Sequence, residues 1–396
     1  MPEPPRLRGR EIVCVGFADW ETDLWTNQQH LMSRLARENR VLFVESLGLR
    51  RPQLAGRDLA RILRRLRHGL APPRATDGLH VLSPLVLPLQ HRPARAINRR
   101  LLRAQARRAA RRLGMRRPIL WAYVPQAEVL IEALDPELVV YHCVDDVAAV
   151  AGVDVASFHA TERSFASQAD LVLASAPALA ARLRRYSANV LDAPNVADTA
   201  LFARALDMNQ SDGPDPLVAA LPRPRILFTG AIVSTKLDMP MLLALARARP
   251  EWSFALVGPV GPGDPRTDVS ALQEMPNIHL LGSRAYEELP DVLRAGDVGL
   301  IPYALNAVTE SVFPMKVYEY LAAGLPVVAT PLPALAEVAE VATAPDAEGI
   351  ERLLEEAIAA DSPERRAARS RAAAAHSWDR RLEEIAAAVQ KLPDRP

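Results

Sequence analysis

Short apolar runs that alternate with helical patterns constrain the fold of this chain most strongly. Residues 11–17 predict a buried strand, residues 26–37 carry apolar side chains at helical spacing, and residues 41–44 predict a second strand. Strand, helix and strand within about 35 residues form a βαβ unit, which opens a parallel sheet covered by helices. No G-x-G-x-x-G sequence follows the first strand, which disfavours a dinucleotide-binding enzyme.

The same alternation recurs after a polar, proline-rich stretch at residues 207–225. A chain of 396 residues is long enough for two domains of ordinary size. We therefore predict an α/β protein with a Rossmann-like domain over residues 1–205 and a second one over residues 206–375. Residues 376–396 are predicted to form a C-terminal helix that crosses back to the first domain.

The two halves carry opposite charge. Residues 1–196 have a net charge of +10 and residues 197–396 one of −9. Residues 50–117 alone contain 19 arginines against two aspartates, and apolar side chains at helical spacing predict an arginine-rich helix at residues 94–113 and an arginine-rich helical stripe at residues 59–70. Three interpretations stay open for residues 57–117: a solvated arginine face, docking on an anionic membrane surface or a lipid-pyrophosphate acceptor, and nucleic-acid binding. The lack of interleaved aromatic residues argues against nucleic acid.

Lysine is almost absent, since 45 of the 48 basic residues are arginine. The three lysines are Lys236, Lys316 and Lys391. A compact ammonium serves where a planar guanidinium does not fit, so lysines retained in such a chain are candidate ligand-binding groups. Chance retention is the alternative.

Residues 309–330 hold the most informative pattern, TESVFPMKVYEYLAAGLPVVAT. A helix is predicted after Pro314 and ends at Gly324, where a buried strand follows. Lys316 and Glu319 lie three residues apart and therefore share a helix face. A helix N-terminus with a lysine attracts an anion, and a glutamate one turn on can accept two sugar hydroxyls. The structural alternative is a surface Lys–Glu ion pair.

Acidic residues follow two predicted strands of the first half. Asp19 follows the first strand, and Asp145 with Asp146 follows the strand at residues 138–144. Ligands bind at this carboxyl edge of a parallel sheet, although a helix N-cap explains the aspartate pair equally well. Cys14 and Cys143 lie in apolar runs, so we predict neither a disulfide nor a metal site.

These motifs resemble the group 1, glycogen-synthase-like family of retaining GT-B glycosyltransferases, most clearly over residues 225–335. The resemblance rests on Gly230 with Lys236, the turn at Gly258, and the P-x-K-x-x-E-Y-x-x-x-G-x-P-V-V sequence at residues 314–328. The N-terminal half is similar to a bacterial subgroup of surface-polysaccharide assembly. The resemblance implies two Rossmann-like domains that face each other across a cleft.

It also implies roles for individual residues. Lys236 would bind the donor diphosphate and Glu319 the ribose hydroxyls, while Lys316 and the first helix turn after Pro314 would lie near phosphate or sugar. The backbone around Arg284 would receive the nucleotide base.

Two departures concern the donor sugar. The family commonly has a glutamate eight positions before Glu319, where this chain has Ser311, and Glu310 lies one residue away. The loop at residues 306–313 would meet the donor sugar, so Glu310 stays a candidate catalytic residue. The family's usual arginine is missing from residues 231–235.

The resulting hypothesis is a hexosyltransferase-like enzyme that moves a sugar from a nucleotide-diphosphate sugar to a hydroxyl acceptor. The acceptor would be a glycan or a lipid-linked intermediate, held near Asp145 and Asp19. We expect retention of configuration, no metal and no cofactor besides the donor substrate. The alternatives are a nucleotide-sugar epimerase or hydrolase, or a non-catalytic partner subunit that binds a nucleotide sugar.

The longest apolar run near the start of the chain, residues 12–17, is too short to cross a membrane. We therefore expect a cytoplasmic protein or one peripheral on the inner face of the membrane.

Overall fold

A computed structural model describes residues 7–22, 24–46, 72–87, 92–149, 153–207, 213–262, 264, 266–393 and 395. The chain divides into two compact units. Unit 1 comprises Met1–Pro194 with Leu382–Pro396, and unit 2 comprises Asn195–Arg381.

The first boundary lies before the predicted position at residue 205, because the segment that follows Asn195 packs in unit 2. The Phe202 ring lies edge-on to Tyr286 at 5.4 Å between centroids, and Arg294 donates a hydrogen bond to the Arg204 carbonyl at 2.8 Å. The proline-rich stretch at residues 207–225 also falls within unit 2, where Asp215 caps a short helix.

Unit 1 is built on an eight-stranded sheet. Its order is β3-β4-β2-β1-β5-β6-β7-β8, and every pair is parallel except β3 with β4. Since β1 lies between β2 and β5, the strand order reverses there, which marks the switch point of the sheet. The strands are Glu11–Val15, Arg40–Val44, Arg74–Thr76, Leu79–Leu82, Ile119–Ala122, Leu138–Cys143, Leu171–Ala174 and Val190–Asp192 (β1–β8). The helices are Asn27–Leu35, Arg92–Arg112, Val129–Leu134, Val155–Gln168 and Pro177–Leu183 (α1–α5).

Unit 2 is built on a six-stranded parallel sheet. Its order, β11-β10-β9-β12-β13-β14, is that of a Rossmann fold, and its switch point lies between β9 and β12. The strands are Arg225–Thr229, Ser253–Val257, Ile278–Leu280, Val298–Ile301, Val327–Ala329 and Val341–Thr343 (β9–β14). The helices are Thr199–Ala203, Pro216–Ala219, Met239–Ala248, Ser270–Gln273, Leu289–Arg294, Lys316–Ala322, Ala347–Ala360 and Pro363–Ala373 (α6–α13). The last helix, Trp378–Gln390 (α14), begins in unit 2 and continues into the C-terminal segment of unit 1.

Most predicted elements are confirmed. The first βαβ unit is present as β1, α1 and β2, and the predicted arginine-rich helix at residues 94–113 is α2. A second predicted arginine-rich stripe, at residues 59–70, lies outside the described residues. Cys14 and Cys143 are buried, as predicted. Within the described parts of the chain, no helix combines the length and apolarity needed to cross a bilayer.

Candidate functional site

Two glycine turns meet at the carboxyl edge of the unit 2 sheet. Gly230 follows β9 with φ 124°, and Gly258 follows β10 with φ 155°. A Cβ atom added at Gly258 would lie 1.9 Å from the Gly230 carbonyl oxygen, so no other residue fits there. The Gly230 amide donates a hydrogen bond to the Val257 carbonyl at 2.8 Å, which ties the two turns together. A ligand can therefore approach this backbone closely.

Helix α11 is fixed to the same edge by Tyr320. The Thr229 amide donates a hydrogen bond to the Tyr320 hydroxyl at 2.7 Å, and Gly299 in β12 leaves room for the ring. Gly324 ends the helix with φ 83°, and the Leu325 amide bonds the Tyr320 carbonyl at 2.9 Å, as the sequence predicts for a glycine C-cap. The helix has only seven residues, so we attribute its anion preference to Lys316 rather than to its dipole.

The Lys316 ammonium lies over the Gly230 turn. Its Nζ donates a hydrogen bond to the Tyr303 hydroxyl at 2.8 Å, and it lies 5.2 Å and 5.1 Å from the ring centroids of Phe228 and Tyr303. A Cβ atom added at Gly230 would lie 3.5 Å from Nζ. An ammonium held above side-chain-free backbone is suited to bind a phosphate group.

The Glu319 carboxyl is buried beside this lysine, with 6% of the residue exposed. Burial raises the pKa of Glu319 to about 7, while Lys316 and the Tyr286 hydroxyl oppose the rise. Because Lys316 bonds to Tyr303, the predicted alternative of a surface Lys–Glu ion pair is wrong. A buried carboxylate without a cation bonded to it can accept hydroxyl groups of a ligand.

Lys236 is held by the same segment as Lys316. The Ala304 amide donates to the Lys236 carbonyl at 2.8 Å, and the Asp238 amide donates to the Pro302 carbonyl at 2.9 Å. Residues 302–304 thus position the backbone of Lys236 and also carry Tyr303. The Lys236 side chain is half-exposed and forms no hydrogen bond or ion pair with any residue of the described ranges.

Arg284 has a structural contact of its own. Its Nε donates to Asp215 Oδ2 at 2.7 Å, and its Nη1 donates to the Leu281 carbonyl at 2.9 Å. The side chain is thus held within unit 2, which leaves the backbone around Arg284 as the part expected to meet a base.

In the loop at residues 306–313, the glutamate is exposed and the neighbouring serine is buried. Glu310 is exposed, whereas Ser311, in the position of the family's first glutamate, is 6% exposed. Asn306 donates to the Thr235 carbonyl at 3.2 Å, so this loop packs beside the segment that carries Lys236. No contact joins Glu310 to the two lysines or to Glu319 in the described structure.

In unit 1, the two aspartates at positions 145 and 146 have different surroundings. Asp146 accepts hydrogen bonds from Arg182 at 2.9 Å and from the Ala148 amide at 3.2 Å, so it is a structural residue. Asp145 is half-buried where β6 ends. Asp19 follows β1 at the switch point, and its carbonyl accepts from Gln29 at 3.1 Å.

Sequence reasoning missed three aromatic residues of the unit 2 site: Phe228, Tyr303 and Tyr320. Each lies at or near the carboxyl end of a strand or on the helix that carries the predicted pair. Their position at strand ends is a signal that the sequence does hold. The contacts that these aromatic residues make cannot be read from the sequence, because the Tyr320 hydroxyl bonds to Thr229, which lies 91 positions away in the chain.

The fold is that of known two-domain proteins. Sucrose-phosphate synthase from Thermosynechococcus elongatus superposes with a TM-score of 0.65 at 16% identity, over 96% of this chain and 98% of that one. Anabaena HepE in complex with UDP-glucose gives 0.65 at 14% identity, over 97% and 100% of the two chains. These likenesses assign the chain to the GT-B fold class.

The family follows from sequence. Residues 223–360 match the family described as glycosyl transferases group 1. The Bacillus subtilis protein TuaH, named as a glycosyltransferase of teichuronic acid biosynthesis, is 37% identical over 113 residues, and this segment covers 28% of either chain. Unit 2 therefore belongs to the group 1 glycosyltransferases, and the resemblance inferred from the motifs is confirmed.

Proposed function

We propose that this protein transfers a sugar from a nucleoside-diphosphate sugar to a hydroxyl acceptor in the assembly of a cell-surface polysaccharide. The observation that carries the proposal is the Lys316 ammonium over the Gly230 turn with the buried Glu319 carboxyl one helix turn away. A cation over bare backbone fits a diphosphate, and a carboxylate fits the two ribose hydroxyls. The complex of HepE with UDP-glucose and the naming of TuaH support the donor class and the polysaccharide role.

The proposed chemistry requires stabilisation of the leaving diphosphate. Lys316 and Lys236 place two ammonium groups at this edge of the unit 2 sheet, where they neutralise the charge that develops as the glycosidic bond breaks. We propose transfer with retention, in which the leaving phosphate takes the acceptor proton, so that a separate base is not needed. The acceptor is assigned to unit 1, near Asp145 and Asp19.

We propose that the two lysines supply the charge stabilisation that a divalent metal would otherwise give. In a transfer assay with the full chain, addition of a chelator should leave the rate unchanged. Loss of activity that a divalent ion restores would contradict this part of the mechanism.

Lys236→Ala is expected to lower kcat/KM for the nucleotide sugar at least about tenfold, or about 1.4 kcal/mol, since it removes one of the two cations. Sugar transfer to an acceptor panel measures the effect, and Lys391→Ala, an exposed lysine of unit 1, is the matched control. Donor turnover without any acceptor would favour a hydrolase or epimerase instead. Donor binding without turnover would favour a non-catalytic subunit.

We further propose that helix α2 docks on an anionic membrane surface. Six of its arginines are exposed and form no ion pair with the described residues: Arg99, Arg100, Arg107, Arg108, Arg111 and Arg112. By contrast, Arg103 pairs with Glu132 at 2.8 Å. Basic helices are attracted to anionic headgroups by about 1 kcal/mol for each basic residue near the surface.

Replacing Arg107, Arg108 and Arg111 with glutamine should lower the partition onto anionic liposomes by about 100-fold, because three such contributions are lost. Flotation with the full chain measures the partition. The control variant replaces Arg247, Arg365 and Arg371 of unit 2, which removes the same charge from exposed positions on other helices. Equal flotation of both variants and the wild type would remove the membrane interpretation.

A further inference from the structure

The Lys316 and Glu319 side chains share a helix face but form no ion pair with each other. In the absence of another partner, a lysine beside a buried carboxylate would be drawn onto it, because the attraction is stronger where water is excluded. Instead, Nζ bonds to the Tyr303 hydroxyl at 2.8 Å. Something in the structure must therefore favour this second arrangement.

Tyr303 is fixed by its own contacts and can therefore hold the Lys316 ammonium away from Glu319. The Thr330 hydroxyl, which is buried, donates to the Tyr303 carbonyl at 2.7 Å, and Leu237 and Tyr303 form an antiparallel bridge. The ring is 5% exposed and, with Phe228, gives the ammonium two aromatic neighbours at about 5 Å. Such contacts contribute to cation binding beyond the hydrogen bond.

We propose that Tyr303 is a positioning residue that holds the Lys316 ammonium over the Gly230 turn and away from Glu319. Both charges then stay available to one ligand, the ammonium to its diphosphate and the carboxylate to its ribose. The inference rests on the proposed function and adds to it the residue that keeps the pair separated. Neither the family motif at residues 314–328 nor the fold assigns a role to this tyrosine.

Tyr303→Phe tests the proposal, because it removes the hydroxyl and keeps the ring. Calorimetry with the full chain compares binding of UDP with binding of uridine, which lacks the diphosphate. We expect UDP affinity to fall about tenfold and uridine affinity to fall by a smaller factor, because uridine keeps the ribose that Glu319 binds but lacks the diphosphate that Lys316 binds. Tyr318→Phe, which removes a hydroxyl from the opposite side of α11 where the ring stacks on His376, is the control and should change neither.

The pH dependence gives a second readout. Among the described residues, the titratable groups that interact with the Glu319 carboxyl are Lys316 and the Tyr286 and Tyr320 hydroxyls. Once Tyr303→Phe lets the ammonium approach, the Glu319 pKa should fall, and the midpoint of UDP binding should move to lower pH. In a Lys316→Met background the same tyrosine change should have no further effect, as a double-mutant cycle would report.

Equal losses for UDP and uridine, an unchanged pH midpoint, or full additivity of the Tyr303 and Lys316 changes would each overturn the positioning role. If the wild-type chain binds neither UDP nor any other nucleoside diphosphate, the proposed function fails together with this inference. If the wild type binds and Tyr303→Phe binds equally well, only the inference fails.

Discussion

Lys316→Met is expected to lower kcat/KM for the nucleotide sugar by about 100-fold or more, or about 2.7 kcal/mol. Methionine keeps most of the length and apolar volume of the lysine side chain but removes its charge. The loss should be larger than that of Lys236→Ala, because the Lys316 ammonium is fixed by Tyr303 and two rings over the Gly230 turn. A preorganised charge stabilises a transition state without reorganisation during the reaction.

Lys391→Met is the matched control, since it makes the same change at an exposed position of unit 1. Steady-state kinetics of both variants give the comparison. A Lys316→Met enzyme with rates near those of the wild type and Lys391→Met would remove this lysine from the site.

Glu319→Gln is expected to raise the stability of the protein at pH 8 while it lowers activity at least about tenfold. The carboxyl has its folded pKa near 7, above its ordinary value of 4.5. The stability that it contributes is fully present below the ordinary pKa and is lost as pH rises through 7, since a buried carboxylate is then left charged. Glutamine stays neutral, so the variant does not suffer this loss.

The gain at pH 8 should be on the order of 3 kcal/mol, or several degrees in Tm, and should shrink to about 1 kcal/mol or less at pH 5. Thermal unfolding at the two pH values measures it. Glu274→Gln, at an exposed glutamate of the same unit, should show no such difference. If Glu319→Gln is less stable than the wild type at pH 8, the carboxylate is stabilised by the fold rather than reserved for a ligand.

Nucleotide affinity should also depend on the ionisation of Glu319, but it should rise with pH where stability falls. Ribose hydroxyls donate to an ionised carboxylate, so nucleotide affinity should weaken as pH falls below 7 and Glu319 becomes protonated. A residue that costs stability at working pH yet is retained is typical of a binding site.

The elements were predictable because their signals are local. The apolar run before Gly230 and the glycine at 324 each specify a strand end or a helix end within a few residues. Position in a parallel sheet then gives the edge at which ligands bind, and both Lys236 and Lys316 lie at this edge of the unit 2 sheet.

What the sequence could not supply depends on contacts between distant segments. The Tyr303 hydroxyl meets Lys316 only because β12 and α11 converge, and no spacing rule predicts that the lysine turns away from Glu319. The unit boundary at Pro194 was missed for a similar reason, since Phe202 packs on Tyr286 much later in the chain. The sequence shows that Glu310 lies one position before the family's first glutamate, where this chain has Ser311. Only the structure shows that Ser311 is buried and Glu310 exposed.

A thermal-shift panel of nucleoside-diphosphate sugars tests the central claim most directly, because a ligand that binds only the folded chain raises Tm. We predict that at least one nucleotide sugar of the panel, with UDP-sugars the first candidates, raises the Tm of the wild type and of Lys391→Met but not that of Lys316→Met. No shift with any nucleotide sugar, or the same shift in Lys316→Met, would contradict a donor site built on Lys316 and Glu319.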